Sequence, residues 1–281
     1  MENAVEIRNL TKAYEKFTLD GLNLTLPSGC IMGLIGENGA GKSTTFKLIL
    51  DMISRDGGEI KLLGKDNRTG LNLLKEEIGI VPDEIGLPPT LNAKQVGKIM
   101  ANSFSNWDGE AYKGYLSKLG VPDDQAFKKL SRGMKMKLGI AIALSHHPKL
   151  LLLDEATNGL DPVVRDEVLD MFFEFTRDEN HSILISSHIV SDLEKLCDYI
   201  AFLHNGRLIL CEEKDVLKDE YRLVKGSAEE INRLPEESVI GKKIMPYGAE
   251  AIVRRESVPE GAVAEPIDIE QLFVFMVRKE D

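Results

Sequence analysis

The stretch Gly36-Glu37-Asn38-Gly39-Ala40-Gly41-Lys42-Ser43 decides the fold of this chain. It fits the pattern G-x-x-x-x-G-K-[ST], a loop whose glycines allow backbone N–H groups to turn inward around a chain of phosphates. The mostly apolar run 30–35 before it predicts a strand buried on both faces, and the apolar spacing of 43–53 after it predicts a helix. Because strand, glycine-rich loop and helix follow in this order, we predict a site for a nucleoside triphosphate.

Two side chains of this loop have chemical tasks of their own. Lys42 can reach the β- and γ-phosphates and is also predicted to act in catalysis, and the Ser43 hydroxyl can ligate Mg²⁺. The N-terminus of the following helix adds partial positive charge at the same place. The predicted nucleotide-binding residues of the loop and the helix start are Gly36, Asn38, Gly39, Ala40, Gly41, Lys42, Ser43 and Thr44.

Composition excludes several classes of protein. The 281 residues suffice for one large domain or for a large and a small one, and the net charge of −11 argues against a nucleic-acid partner. The widely spaced Cys30, Cys197 and Cys211 form no metal pattern and favour a reducing compartment. Because the sequence shows neither a secretion signal nor an apolar run near the roughly 18 residues of a membrane span, we expect a cytosolic chain whose membrane role, if any, needs a partner.

The order of predicted elements indicates an α/β fold. Strands alternate with helices, which implies a mainly parallel sheet with helices on both faces. Strands at 5–10 and 17–26 precede this core, and helical periodicity from 92 to 120 indicates a helical insertion, placed at about 83–130. From about Tyr221 the pattern changes to short strand-like runs with scattered prolines. We therefore divide the chain into residues 1–220 and a small α+β unit at 221–281.

Polar residues follow the predicted strands where a parallel sheet would gather them at one edge. Asp154 ends a run of four leucines and can hold Mg²⁺ directly or through water, and Glu155 can accept a proton from an attacking water. His188 follows another strand and can hydrogen-bond the γ-phosphate and the water, although a lone histidine is more often a structural donor. We predict that these residues meet the loop that contains Lys42.

These motifs, in this order, resemble those of the nucleotide-binding subunit of an ATP-binding cassette (ABC) transporter. The resemblance covers residues 1 to about 220, and Gly36–Ser43 stands at its Walker A motif. The other matches are the signature at 130–134, Walker B with the catalytic Glu155 at 150–155, the D-loop at 158–161 with Asp161, and the switch histidine His188. Tyr14 falls where the family places an aromatic that stacks on adenine, with packing at a strand end as the alternative.

The resemblance implies a fold, a ligand and partners. The fold would be a P-loop, RecA-like core with a mainly parallel sheet, an antiparallel β subdomain, the helical insertion and the C-terminal extension. The ligands would be ATP and Mg²⁺, and Asp161 would belong to the nucleotide site. Two subunits, identical or different, would meet head to tail, so that Ser131 and Gly133 of one face the ATP held by the other. Closure would drive integral-membrane permease subunits from the cytoplasmic face of the membrane.

The sequence departs from the usual family pattern at Asn158, where serine is common, and at three further positions that bear more directly on the site. Arg132 and Met134 replace a glycine and the glutamine of the common signature L-S-G-G-Q, a variant similar to that of many bacterial ABC-2 type exporters of antibiotics and peptides. Asp83 stands where the family usually carries a glutamine that touches Mg²⁺ and the attacking water, so Asp83 is a third candidate metal ligand. Export of an unspecified substrate is therefore the leading expectation.

Two other functions stay open at this point. The first is an ABC ATPase that acts on ribosomes or DNA, but such proteins carry a second cassette or long coiled coils, and residues 42–131 leave no room for the latter. The second is a regulatory module in which ATP closes the dimer without productive turnover. The departures at Asp83 and Met134 leave this module open, whereas Glu155 and His188 argue against it. Neither the transported substrate nor the role of the C-terminal unit is encoded in these patterns.

Overall fold

The structure, a computed structural model, describes residues 3–280 and all of their side chains except those of 70–73, 279 and 280. In chain order the elements up to the helical insertion are β1 (Asn3–Tyr14), β2 (Phe17–Pro27), β3 (Ile31–Gly36), α1 (Lys42–Ile49), β4 (Gly57–Leu62), β5 (Lys65–Asp66), α2 (Asn67–Leu74), β6 (Ile78–Val81), α3 (Ala93–Ser103) and α4 (Gly109–Lys118). The elements that complete the core are α5 (Arg132–Leu144), β7 (Leu150–Asp154), α6 (Pro162–Phe175), β8 (Ser182–Ser187), α7 (Val190–Leu196), β9 (Tyr199–His204), β10 (Arg207–Glu213) and α8 (Lys214–Glu220). The C-terminal elements are β11 (Tyr221–Gly226), α9 (Ala228–Asn232), β12 (Val239–Met245), β13 (Gly248–Arg254), β14 (Val263–Pro266) and α10 (Ile269–Glu280).

A six-stranded sheet in the order β10-β9-β3-β8-β7-β6 forms the core. Its strands are parallel except β10, which returns antiparallel to β9 through a hairpin. Every residue of β3, β7 and β8 is buried, which explains why these strands are apolar runs without alternation. The register places Ile35 beside Ser187 and Asp154 beside Ser186, so the carboxyl ends of the three strands meet at one edge.

An antiparallel sheet in the order β2-β1-β4-β5 packs its own apolar face against the core. The sequence predicts a first strand over 5–10 only, but β1 continues to Tyr14, which pairs with Phe17. The pairing of β1 with β2 shifts register around Leu10, and Asn9 has a φ of +48°. These irregularities break the alternation of apolar and polar residues, and for that reason the second half of the strand is not visible in the pattern.

The helices that the sequence predicts are present, but several of their ends differ, and the short helix α9 was not predicted. The sequence predicts the first helix to Ile53, whereas α1 ends at Ile49 because Asp51 has a left-handed φ of +51°. The second helix is predicted over 71–77 but begins at Asn67, where the Asp66 carboxylate accepts hydrogen bonds from the backbone amides of residues 68 and 69. The two helices of the insertion, α3 and α4, lie where the periodicity placed them, and α5 packs on β6 and α4.

The C-terminal region contains a second antiparallel sheet in the order β12-β13-β11-β14. Apolar residues on one face of this sheet pack with Ile231 of α9 into a small separate core that includes Ala251. Helix α10 contacts β12, α7 and α8, and its Phe273 meets Phe202 of β9 with ring centroids 5.2 Å apart. The C-terminal unit therefore shares part of its core with the main sheet. Among the helices of residues 3–280, none combines the length and the apolarity that crossing a membrane requires.

Candidate nucleotide-binding site

The loop between β3 and α1 has the backbone shape of a phosphate cradle. Gly39 and Gly41 have φ values of +88° and +115°, which side chains disfavour. At Gly41 a Cβ would also lie 2.8 Å from the ring of Phe17. Among the residues that the structure describes, no side chain caps the start of α1, and the first turn of α1 carries no acid. Its backbone amides can therefore serve a ligand. The local sequence thus builds an anion site at the end of β3.

Lys42 lies inside this loop, with only 6% of its surface exposed. Its ammonium donates to the carbonyl oxygens of Gly36 at 2.7 Å and Glu37 at 3.4 Å. A carboxylate oxygen of Glu155 lies 3.4 Å from the same nitrogen. The Lys42 side chain therefore connects the two ends of the predicted site, the loop after β3 and the acid after β7.

Glu155 and His188 are in contact at the ends of the neighbouring strands β7 and β8, where the sequence analysis expected them to meet. His188 Nδ1 lies 2.6 Å from Glu155 Oε2, whereas Lys42 faces the other carboxylate oxygen, Oε1. The Glu155 backbone amide donates to the hydroxyl oxygen of Ser186, and its φ of +54° is left-handed. One buried carboxylate is thus oriented from both sides, by an ammonium and by an imidazole.

Asp154 and Ser43 provide oxygen atoms beside the loop. Ser186 Oγ donates to Asp154 Oδ1 at 2.6 Å, and the Ser43 hydroxyl also hydrogen-bonds this carboxylate. Burial is the main cause that raises the pKa of Asp154, and the negative charges of Glu155 and Asp83 raise it further. The hydrogen bonds from the two serines act in the opposite direction, because they favour the charged form. A carboxylate with a hydroxyl beside it fits Mg²⁺, which prefers oxygen donors.

Asp83 lies on the loop after β6 and makes an ion pair that the sequence did not predict. Arg132 donates through Nη2 to Asp83 Oδ1 over 2.9 Å, and both side chains are exposed. Two of the departures from the family pattern therefore face each other. Asp83 is also close enough to Asp154 for its charge to affect the pKa of that carboxyl. From this position the Asp83 carboxylate can pair with the Arg132 guanidinium, as it does here, or with a cation bound beside Asp154.

The signature and the D-loop lie side by side. Ser131 caps α5, where its hydroxyl oxygen accepts a hydrogen bond from the Met134 amide at 3.2 Å, and the hydroxyl can still donate its proton to a phosphate. A Cβ on Gly133 would lie 3.3 Å from the Gly159 carbonyl oxygen. Asp161 caps α6 by accepting from the amide of residue 164 at 3.2 Å. Ser131, Gly133 and Asp161 therefore contact residues of the signature helix and of the D-loop and α6, whereas Lys42 contacts Glu155.

Tyr14 lies at the end of β1 with 47% of its surface exposed. Its ring centroid is 6.5 Å from that of Phe17, the side chain that closes on Gly41, and the Lys12 ammonium lies 5.6 Å from the Tyr14 centroid. An exposed ring joined to the loop through a second ring can offer one face to a flat base.

The sequence analysis did not predict two contacts that position the site residues. Ser186 contacts both Asp154 and Glu155, and the available signal was a serine at the end of an otherwise apolar strand. The β9–β10 hairpin also supports the loop, because the Gly206 amide donates to the Ala40 carbonyl at 3.0 Å. No sequence signal indicates this second contact, since it depends on how distant strands pack.

The site defines a class of protein. A glycine-rich loop that ends in a buried lysine, a hydroxyl on a strand-end carboxylate and a glutamate held against that lysine are the features of a P-loop nucleoside triphosphatase. Residues 19–158 match the family model described as ABC transporter.

Comparisons with individual proteins give the family. The chain is 39% identical over 215 residues to the lantibiotic transport ATP-binding protein SrtF of Streptococcus pyogenes, an alignment that covers 75% of this chain and 91% of SrtF. It is 34% identical over 212 residues to the bacitracin transport ATP-binding protein BcrA of Enterococcus faecalis, covering 74% of this chain and 69% of BcrA. The chain therefore belongs to the ATP-binding proteins of ABC transporters.

A solved structure agrees with this assignment. An ATP-binding subunit of an ABC transporter superposes with a TM-score of 0.70 at 26% identity, over 76% of this chain and 92% of that chain. The predicted family, the P-loop α/β fold class and ATP hydrolysis are confirmed. The protein is an ATP-binding and ATP-hydrolysing subunit of an ABC transporter.

Proposed function

We propose that this subunit is one half of an ATP-driven clamp in a membrane exporter. Two ATP-binding subunits, identical or different, close head to tail around two ATP molecules and drive integral-membrane permease subunits. The observation that carries this proposal is the Glu155 carboxylate, buried and oriented by Lys42 at 3.4 Å and by His188 at 2.6 Å. A module that only sensed ATP would need no acid placed in this way.

Each residue of the site has a distinct role in the proposed reaction. The loop amides and Lys42 hold the β- and γ-phosphates, and Tyr14 stacks on the adenine. Glu155 accepts the proton of the attacking water, while His188 fixes the orientation of that carboxylate and contacts the γ-phosphate. Arrival of a phosphate draws the Lys42 ammonium toward it, and this shift leaves the Glu155 carboxylate available to the water.

Ser43, Asp154 and Asp83 are the residues that we propose to hold Mg²⁺. When bound, the ion neutralises phosphate charge that develops during transfer of the γ-phosphoryl group. The Ser43 hydroxyl lies close enough to the Asp154 carboxylate to lower its pKa, so the two groups can serve one ion beside the loop. Asp83 would join them by exchanging its contact with Arg132.

Closure of the dimer is the mechanical output. Ser131, Gly133 and Asp161 of one subunit are proposed to contact the ATP of the other, where the start of α5 adds its partial positive charge. ATP thus bridges the subunits, and hydrolysis removes the bridge, which shifts the dimer toward its open state.

The names of the relatives support export of an antimicrobial peptide or a similar antibiotic. SrtF is named as a lantibiotic transport protein, and BcrA is named as a bacitracin transport protein. We place the subunit on the cytoplasmic face of the membrane, attached through permeases. We also retain the division of the chain into residues 1–220, which hold the ATPase with its helical subdomain at about 83–130, and the accessory unit 221–281.

The partner can be tested by purification from the cells that make the protein. We expect the affinity-tagged chain, extracted in mild detergent, to carry with it a protein with many membrane spans, and ATP turnover of that complex to respond to a transported peptide. Recovery of ribosomes or DNA with the tagged chain would instead support the soluble alternative. Recovery of the chain without turnover would support the regulatory module.

Asp83 gives a sharper prediction about the metal site. Replacing Asp83 with Ala should raise the Mg²⁺ concentration needed for half-maximal turnover by about tenfold, the lower end of what loss of a supporting metal contact costs. Asp83→Gln, which keeps an oxygen donor, should have a smaller effect. The measurement is ATPase rate against Mg²⁺ at saturating ATP, with Glu84→Gln on the neighbouring exposed carboxylate as control. An unchanged Mg²⁺ dependence in Asp83→Ala would remove Asp83 from the metal site.

A further inference from the structure

Two charged residues outside the predicted site link the D-loop to the switch histidine. Arg165 lies on α6, one helical turn after Asp161, and Asp192 lies on α7, one turn after His188. The two helices pack against each other. The D-loop is proposed to reach the ATP of the partner subunit, whereas His188 serves the ATP of its own subunit. A contact between Arg165 and Asp192 therefore joins structures that belong to two different ATP sites.

Arg165 holds the D-loop directly. Its Nη2 donates to the Leu160 carbonyl at 3.2 Å, and its backbone amide donates to the carbonyl of Asp161 at 2.9 Å. A guanidinium in this position follows any displacement of the D-loop, because the loop carbonyl is one of its hydrogen-bond acceptors. Asp192 lies in the first turn of α7, where its backbone amide donates to the Ile189 carbonyl at 3.2 Å.

The contact between the two side chains is incomplete. Arg165 Nε and Asp192 Oδ2 are 3.8 Å apart, beyond the length of a hydrogen bond. Both atoms are buried, and within residues 3–280 neither has a hydrogen-bond partner. An unpaired buried donor facing an unpaired buried acceptor is costly, and a relative shift of the two helices by about 1 Å would satisfy both.

We propose that Arg165 and Asp192 are positioning residues that complete their hydrogen bond when the dimer closes on ATP and thereby couple the two ATP sites. The inference rests on the proposed head-to-tail closure. Contact of the D-loop with the partner's ATP shifts Leu160 and the guanidinium bonded to it. The guanidinium then engages Asp192 and fixes the first turn of α7, and with it His188. Occupation of one site in this way prepares the other for hydrolysis.

A second ion pair between the same helices provides a matched control. Lys195 Nζ lies 3.4 Å from Asp166 Oδ1, and both side chains are about two-thirds exposed, at 69% and 67%. This pair also joins α6 to α7, but it does not touch the D-loop carbonyl. Because an exposed ion pair contributes little to stability, Asp166→Asn shows whether a loss of charge between these two helices is by itself enough to alter dimerisation.

The test is a double-mutant cycle on ATP-driven dimerisation. In the Glu155→Gln background, Arg165→Lys and Asp192→Asn should each raise the dimer dissociation constant by about tenfold, and the double variant should be no weaker than either single one. With Glu155 present, the Hill coefficient for ATP should fall toward 1 in both single variants while the melting temperature of the nucleotide-free protein stays within a few degrees. Asp166→Asn should leave both quantities unchanged.

Specific outcomes would overturn the inference without touching the proposed function. If the parent dimerises with ATP but Arg165→Lys and Asp192→Asn dimerise equally well, the pair does not couple the sites. Fully additive effects, or an equal effect of Asp166→Asn, would show general packing of α6 on α7 instead. Failure of the parent itself to dimerise would count against the head-to-tail clamp.

Discussion

Replacing Glu155 with Gln should lower the rate of ATP hydrolysis by about a hundredfold to ten-thousandfold, the contribution of a well-placed general base. The amide has nearly the shape of the carboxylate and retains an oxygen that can accept a hydrogen bond from His188, which lies 2.6 Å away in the native site. It cannot take a proton from water. Because ATP binding does not depend on that proton transfer, the variant should bind ATP and remain closed.

The consequence to measure is therefore a separation of binding from turnover. Phosphate release should fall steeply, while size-exclusion chromatography with light scattering should show more dimer in ATP than the parent shows. Glu174→Gln, a similar change on the exposed side of α6, serves as control and should retain the parental rate. Turnover that survives in Glu155→Gln would assign the base to another residue, and loss of ATP binding would give Glu155 a mainly structural role.

The loop, the strand ends and the fold class were predictable because they depend on local sequence. Gly36 to Ser43 fixes a backbone shape with few alternatives, and the apolar runs before Asp154 and His188 identify parallel strands whose ends must meet. From these facts alone the meeting of Lys42, Glu155 and His188 could be expected, and the structure places them within contact distance. Ser131 caps α5, and a serine directly before a helical stretch is a local signal of the same kind.

Contacts between distant segments were not predictable. Arg132 and Asp83 each looked like an isolated departure from the family pattern, and only the packing of α5 on β6 shows that they form one ion pair. The same holds for Gly206 against Ala40 and for Arg165 against Asp192, since each pair joins elements far apart in the chain. Their geometry depends on how helices and hairpins pack, which no motif or periodicity encodes.

Replacing Lys42 with Met should raise the dissociation constant for ATP by about tenfold to a hundredfold, the cost of losing charged hydrogen bonds worth roughly 1.5–3 kcal/mol. Met has a similar length and an apolar stem, so it can occupy the buried position of Lys42 without the ammonium. Turnover at saturating ATP should fall as well, because charge that develops on the γ-phosphate loses a nearby cation.

The control for this change lies on the same helix. Lys47→Met removes a positive charge from the last turn of α1, on its exposed side, and should leave ATP affinity nearly unchanged. Comparing the two variants by calorimetric titration with ATP separates the position of Lys42 from the general charge of α1. Equal losses of affinity would mean that α1 acts through its net charge. A loss confined to Lys42→Met would mean that the ammonium itself, bonded to the Gly36 carbonyl and placed beside Glu155, exchanges these partners for phosphate oxygens. That exchange would couple ATP binding to catalysis. When the Lys42 ammonium moves to the phosphate, it no longer pairs with the Glu155 carboxylate, which is then free to act as the base.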